Sequence, residues 1–122
     1  MQFASVRIIT HDVPRLADFY EALTGLPAER VAEVFATFAA PTGTLAIGHV
    51  STASFGDATP RPGTGAAIVE FLVDDVEAAF ARAQELGAET VLEPTTLPWG
   101  NRSAIVRDPD GTLVNLFRRP GA

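Results

Sequence analysis

The chain has 122 residues, 47% hydrophobic and 20% charged, with a formal net charge of −6. This composition is too apolar for a disordered chain, and no apolar stretch is long enough to cross a bilayer. The negative charge disfavours nucleic acid and anionic membranes as partners, and the absence of cysteine excludes disulfides, thiol catalysis and thiolate metal sites.

The first predicted elements are a strand and a helix, in residues VRIITHDVPRLADFYEAL (6–23). Apolar residues first alternate and then recur at helical spacing. Asp12 is a suitable N-cap, Pro14 is tolerated in the first turn, and Gly25 suits the left-handed conformation that ends a helix. The runs RVAEVFATFAA (30–40) and TLAIGHV (44–50) then predict strands joined by a PTG turn.

The stretch STASFGDATPRPGTG (51–65) is the predicted linker, because Ser, Thr, Gly and Pro dominate it. The segment after it repeats the first pattern without a gap, so that Asp75 aligns with Asp12 and Gly87 follows the second helix. Three strand-like runs complete the copy: ETVLEP (89–94), NRSAIVR (101–107) and TLVNLF (112–117).

These elements predict an α+β fold in which two tandem βαβββ modules form a curved mixed sheet. We expect one domain over residues 1–122, with modules at about 1–52 and 64–122, because neither half is large enough to stand alone. The DPDG segment, residues 108–111, is predicted to be a structural turn, since Asp108, Pro109 and Gly111 each fit their turn position.

Three segments resemble the glyoxalase, bleomycin-resistance and extradiol-dioxygenase group, the vicinal oxygen chelate superfamily. They are THDVPRLADFYEALTGL, VEFLVDDVEAAFARAQELGAE and PWGNRSAIVRDPDGTLVNLF, and the resemblance covers nearly the whole chain. It implies the glyoxalase-like fold, a homodimer and a small-molecule ligand. The branch that the chain resembles most is the metal-free bleomycin-resistance branch, which implies a role in antibiotic resistance.

Family enzymes typically hold a divalent metal with His or Glu side chains from the strands. The resemblance places the four ligand positions at Ser5, about Ala46, Ile68 and Asn115. Alanine and isoleucine donate nothing to a metal, and neutral serine and asparagine oxygens are weak ligands without carboxylate or imidazole help. We therefore expect no metal and no cofactor.

Strand alternation puts Arg7 and Glu70 on the side that faces away from the helices. They are equivalents under the repeat and opposite in charge, so a salt bridge between modules and a ligand-contacting role both stay open. If desolvated, Glu70 would be the most plausible general base of the chain, although a weak candidate.

The aromatic residues supply a second set of candidates. Trp99 is predicted to lie on a loop and to contact a ligand or a dimer partner rather than close the core. His11 and His49 lack metal-site spacing and are interpreted as junction or surface residues, and Arg102 as a solvated charge at a strand end. The predicted ligand-binding set is Arg7, Phe35, Phe38, Glu70, Trp99, Asn115 and Phe117, with Phe55 as a further aromatic candidate.

Three functions follow as hypotheses. The first is a metal-free protein that sequesters a planar or amphipathic compound in the groove of a homodimer. The second is an enzyme of the lyase or dioxygenase type that uses a non-standard site with Glu70 as base, and the third is a non-catalytic interaction module. Because MQFASVRIIT does not have the pattern of a secretory signal, we expect a cytoplasmic protein.

Overall fold

The structure is a computed structural model that describes residues 1–63 and 65–121. The chain divides into two compact units, Met1–Thr64 and Gly65–Ala122, and each is described by itself. Thr64, which belongs to the predicted linker, and Ala122, at the end of the predicted second module, lie outside the described residues.

The first unit contains one four-stranded sheet and one helix. Its strands follow the order β1-β4-β3-β2, and β1 is parallel to β4 whereas the other neighbours are antiparallel. Two short 3₁₀ helices follow β4: Val50–Ala53 begins one residue before the predicted linker, and Gly56–Ala58 falls within it. The elements are β1 (Val6–Thr10), α1 (Val13–Thr24), β2 (Glu29–Val31), β3 (Phe35–Ala40) and β4 (Gly43–His49).

Both ends of α1 follow the prediction. The Asp12 carboxylate accepts a hydrogen bond from the Arg15 backbone N–H at 3.1 Å, which satisfies one of the unpaired donors of the first turn. Gly25 adopts a left-handed conformation with φ of 73° and donates its N–H to the Glu21 carbonyl. The run 30–40 forms two strands rather than one, because the chain turns between β2 and β3 where Ala32 has a φ of 51°.

The second unit repeats this arrangement. Its strand order is β5-β8-β7-β6, and β5 is parallel to β8 in the same way that β1 is parallel to β4. The Asp75 carboxylate caps the helix by accepting from the Ala78 N–H at 3.0 Å. The elements are β5 (Ile68–Leu72), α2 (Val76–Glu85), β6 (Glu89–Thr96), β7 (Arg102–Arg107) and β8 (Leu113–Arg118).

The DPDG segment is the turn between β7 and β8, as predicted. One oxygen of the Asp108 carboxylate accepts from the backbone N–H groups of Asp110 and Thr112, both at 2.9 Å. Gly111 has a φ of 97°, a backbone conformation that residues with a side chain rarely adopt. Asp108 is only 4% exposed, so its carboxylate is a structural part of the hairpin.

Each sheet packs one side against its own helix. In the first unit the Tyr20 ring of α1 lies 6.4 Å from the Phe38 ring of β3, and Ala36 and Ile47 on the same side are fully buried. In the second unit the buried side consists of Ala104, Val106, Val114 and Leu116. We call the opposite side of each sheet its far face.

The predicted α+β architecture of two βαβββ modules is confirmed in element order and in sheet topology. Within residues 1–63 and 65–121, no helix has the length and apolar character needed to cross a membrane.

Candidate functional site

The far face of the second sheet carries the polar side chains of interest. In the parallel pair β5 and β8, Glu70 lies opposite Asn115, and two residues further along each strand Leu72 lies opposite Phe117. Side chains alternate between the two sides of a strand, so these four residues share the far face while Val69 and Val114 face the helix. Glu70 and Asn115, both members of the predicted ligand-binding set, therefore lie on the same side of the sheet.

Glu70 and Asn115 are joined directly. The Asn115 amide nitrogen Nδ2 donates to Glu70 Oε2 at 2.8 Å. Among the described residues of the second unit the Glu70 carboxylate has no cationic partner, and the residue is exposed. Sequence reasoning identified both residues separately, but only the strand register makes them hydrogen-bonded neighbours.

The oxygen atom of the Asn115 amide has no hydrogen-bond partner among the described residues. This atom, Oδ1, is buried. The amide cannot be reversed to relieve this, because Oδ1 would then face the Glu70 carboxylate and two acceptors would repel. A buried acceptor without a donor is costly, so this atom marks a place where a donor from outside the chain would be stabilising.

Apolar and aromatic side chains flank this pair. Ile68 and Leu72, two residues to either side of Glu70 on β5, are 48% and 56% exposed. Phe117 is half-buried, and the Arg119 guanidinium lies 5.8 Å from the centre of its ring, within the range of a cation–π interaction. The far face therefore combines one carboxylate and one amide with exposed apolar area.

Two other carboxylates of the second unit are already paired with arginines. Glu89 Oε2 lies 3.1 Å from Arg107 Nε. Arg102 contacts Glu77 of α2 and also donates to Thr96 Oγ1 at 3.1 Å. The hydrogen bond from Arg102 lowers the pKa of the Glu77 carboxyl. Arg102 is thus more than the solvated strand-end charge considered from the sequence.

The far face of the first sheet presents Arg7. Arg7 lies opposite Ala46 in the β1–β4 pair, the same arrangement that Glu70 and Asn115 have in the second module. Its aliphatic stem crosses Gly48, where an added Cβ would lie 3.1 Å from Arg7 Cδ and 2.7 Å from Thr52 Oγ1. Sequence reasoning missed this role of Gly48, although a lone glycine inside a strand is a signal for such a close approach.

Phe35 and Phe38 do not share a side, which corrects one predicted contact. Phe35 lies opposite Gly48 and is half-buried on the far face. Phe38 is 3% exposed and packs against Tyr20 on the helix side. The expectation that Phe38 lines the ligand face was wrong because residues three apart on a strand point to opposite sides.

Trp99 lies on the loop between β6 and β7, as predicted, and is 67% exposed. The loop is held by a hydrogen bond from the Gly100 N–H to the Leu97 carbonyl at 2.8 Å. Gly100 packs so closely against Pro120 that a Cβ there would lie 2.8 Å from the proline ring. The indole therefore sits on a braced loop and does not close the core of the second unit.

The histidines take no part in the far faces. The Nδ1 atom of His49 accepts from the Ser51 N–H at 3.1 Å and caps a 3₁₀ helix, in agreement with a junction role. His11, between β1 and α1, lines a cavity of about 930 Å³. Its other lining residues lie between Val50 and Pro62 and include Ser54 and Gly56 on either side of Phe55. None of the predicted ligand-binding residues lines this cavity.

The chain belongs to the glyoxalase/bleomycin resistance protein/dioxygenase superfamily, whose family model matches residues 2–116. The match covers both modules and every strand except the last two residues of β8, Phe117 and Arg118. The resemblance seen in the sequence is confirmed at the level of the superfamily.

Solved structures share the fold at low sequence identity. A glyoxalase/bleomycin resistance protein/dioxygenase family enzyme from Burkholderia phytofirmans PsJN superposes with a TM-score of 0.84 at 16% identity, covering 94% of this chain and 96% of that one. Lactoylglutathione lyase from Agrobacterium tumefaciens gives 0.73 at 22% identity, with 96% and 92% covered. At such identities the likeness concerns the fold alone.

A curated relative matches a shorter segment. "Putative glyoxylase CFP32" of Mycobacterium bovis (strain ATCC BAA-935 / AF2122/97) is 34% identical over 50 residues, which are 41% of this chain. The matched segment covers 19% of the length of that relative.

The residues at the family's metal-ligand positions do not fit a divalent metal. Ser5 precedes β1, Ala46 and Ile68 have no donor atoms, and the amide nitrogen of Asn115 is already engaged with Glu70. In the part of the chain that the structure describes, no three His, Asp or Glu side chains lie close enough together to hold one ion. A single carboxylate beside a neutral amide is a poor donor set for zinc, nickel or iron.

Gly48→Ala is expected to destabilise the first unit by about 1–3 kcal/mol, because the new methyl group would overpack against Thr52 and Arg7. Urea unfolding measures the difference. Gly43→Ala in the same strand is the matched control, since nothing lies within 4 Å of the position of its added Cβ. Equal unfolding free energies for the two variants would contradict the close approach of Arg7.

The protein purified without chelator is expected to contain far less than one equivalent of iron, zinc, nickel or manganese per chain. Atomic emission spectrometry of dialysed protein measures this. The double variant Ile68→His and Asn115→Glu, which puts two strong donors beside Glu70, is expected to take up zinc and serves as positive control. One equivalent of metal in the unaltered chain would overturn the assignment of these positions.

Proposed function

We propose that this protein binds a small organic molecule against the far face of its second sheet, without a metal held at the family's ligand positions. The observation that carries the proposal is the Glu70–Asn115 pair, which lies among the exposed side chains of Ile68 and Leu72. The resemblance places two of the family's metal-ligand positions here, at Ile68 and Asn115. Binding sites of this kind are mainly apolar, with few polar groups that fix orientation.

Sequestration of a planar or amphipathic compound, as in bleomycin resistance, is the form of binding that we propose. Apolar area supplies most of the affinity of such sites, and aromatic side chains add stacking surfaces. Trp99 and Phe117 offer such surfaces in the second unit. In the first unit, Phe35 and Arg7 lie on the far face of its own sheet. The predicted pairing of Arg7 with Glu70 stays a prediction.

The enzymatic alternative, with Glu70 as general base, receives less support. A base of this type works best when it is buried, and Glu70 is exposed and already accepts a hydrogen bond from Asn115. The interaction-module alternative has in its favour only the exposed apolar side chains. Binding of a small molecule accounts for both the polar pair and the apolar area around it.

Titration with planar aromatic compounds is expected to quench the emission of Trp99, the single tryptophan of the chain. Leu72→Ser removes apolar area beside Glu70 and is expected to weaken binding roughly tenfold. Leu86→Ser, at an exposed position that follows α2, is the matched control and is expected to leave the affinity unchanged. Insensitivity of both fluorescence and calorimetry across cationic, neutral and anionic compounds would contradict the proposed function.

We also propose that the protein acts as a homodimer. Within their own sheets β1 and β5 are edge strands, and they carry the exposed apolar residues Val6, Ile68 and Leu72. Such edges usually pair or are covered, because they otherwise aggregate. Light scattering is expected to give twice the 12.9 kDa mass of one chain, and a mass of 12.9 kDa at micromolar concentration would contradict the dimer.

A further inference from the structure

We infer that the ligand of the second far face presents an organic cation with N–H donors, such as an amidinium or guanidinium group, to Glu70 and Asn115. This inference rests on the proposed function and names the class of compound that the site would take. The geometry points to it because Glu70 and Asn115 are hydrogen-bonded neighbours, the Glu70 carboxylate has no cationic partner among the described residues of the second unit, and the Asn115 amide oxygen accepts no hydrogen bond from the described residues.

The charge of the site selects a cation. Glu89 and Glu77 in the same unit are paired with Arg107 and Arg102, whereas the one side-chain donor to Glu70 among the described residues of that unit is the neutral amide of Asn115. A ligand cation would supply that partner and would form a charge-assisted hydrogen bond, which is stronger than a neutral one. The net charge of −6 adds a general field in the same direction.

The unpaired acceptor selects a group with several N–H donors. The Asn115 Nδ2 donates to Glu70 and so turns Oδ1 away, where it is buried and accepts nothing from the described residues. A metal ion would need further anionic or imidazole donors, which the far face lacks. An amidinium carries four N–H bonds in one plane, so it can bind the Glu70 carboxylate through one edge and still have N–H donors for Oδ1 once the side chains that cover this atom move aside.

The surroundings favour an aromatic or apolar body attached to this cation. Ile68 and Leu72 are about half exposed on either side of Glu70, and Phe117 follows Asn115 on the same side of β8. An apolar group of the ligand that covers these side chains would bury their exposed apolar surface, which favours binding. Benzamidine therefore has the chemistry that the site would accept, and benzamide and benzoate are its neutral and anionic counterparts of nearly the same shape.

The test is calorimetric titration of the full chain with benzamidine, benzamide and benzoate. We expect benzamidine to bind most tightly and benzoate most weakly. Glu70→Gln is expected to weaken the binding of benzamidine by about 10–100-fold, the range of a charge-assisted hydrogen bond. The affinity for benzamide is expected to change by less than about threefold. Glu85→Gln, which removes the same charge at the exposed end of α2, is the matched control and is expected to change neither affinity.

A second variant isolates the amide. Asn115→Leu keeps the approximate size of the side chain and removes the unpaired oxygen, so it is expected to weaken benzamidine and benzamide alike, since both compounds donate N–H groups. Glu70 is exposed and remains solvated in this variant, so folding should be preserved, and thermal unfolding checks this.

The outcomes separate the inference from the proposed function. If the three compounds bind equally and Glu70→Gln has no effect, the inference is overturned while a small-molecule binding function stands. If neither these compounds nor the wider aromatic panel bind, the proposed function fails and the inference fails with it. Selective loss of benzamidine binding in Glu70→Gln, but not in Glu85→Gln, supports the inference.

Discussion

The parallel register of β5 with β8 is the constraint on which the candidate site depends. It sets Glu70 opposite Asn115 and Leu72 opposite Phe117, while Val69 and Val114 face α2. A slip of one residue would turn the apolar residues Val114 and Leu116 outward and bury polar ones, at a cost set by the apolar area lost from the core. The packing of the helix side therefore fixes which polar groups meet on the far face.

The first strand of each module pairs with the last in the same way, but the side chains that this pairing presents on the far face differ. Arg7 lies opposite Ala46 in the first sheet as Glu70 lies opposite Asn115 in the second. Equivalent backbone positions thus carry an arginine beside a small apolar residue in one module and a carboxylate beside an amide in the other. Side chains at equivalent positions therefore differ in charge between the modules, although the strand pairing is the same.

Membership of the superfamily and the character of the site are separate findings. The fold is shared with solved structures at 16% and 22% identity, so it tolerates extensive change in side chains. Fold does not determine chemistry, because chemistry depends on a few groups whose replacement costs little stability. At the strand positions that face away from the core, the absence of a metal donor leaves the sheet intact, because the packing against the helix does not depend on it.

The sequence by itself determined the repeat, both helix caps, the DPDG turn and the side of β5 on which Glu70 lies. Each of these depends on local patterns: period-two alternation, capping residues and turn residues. Only the tertiary structure decided which residues meet: the hydrogen bond from Asn115 to Glu70, the crossing of Arg7 over Gly48 and the burial of Phe38 against Tyr20. It also decided that Asn115 Oδ1 is buried without a donor among the described residues. These contacts join residues far apart in the chain, as with Glu70 and Asn115, and a local pattern cannot specify them because strand register is set by packing of the whole module.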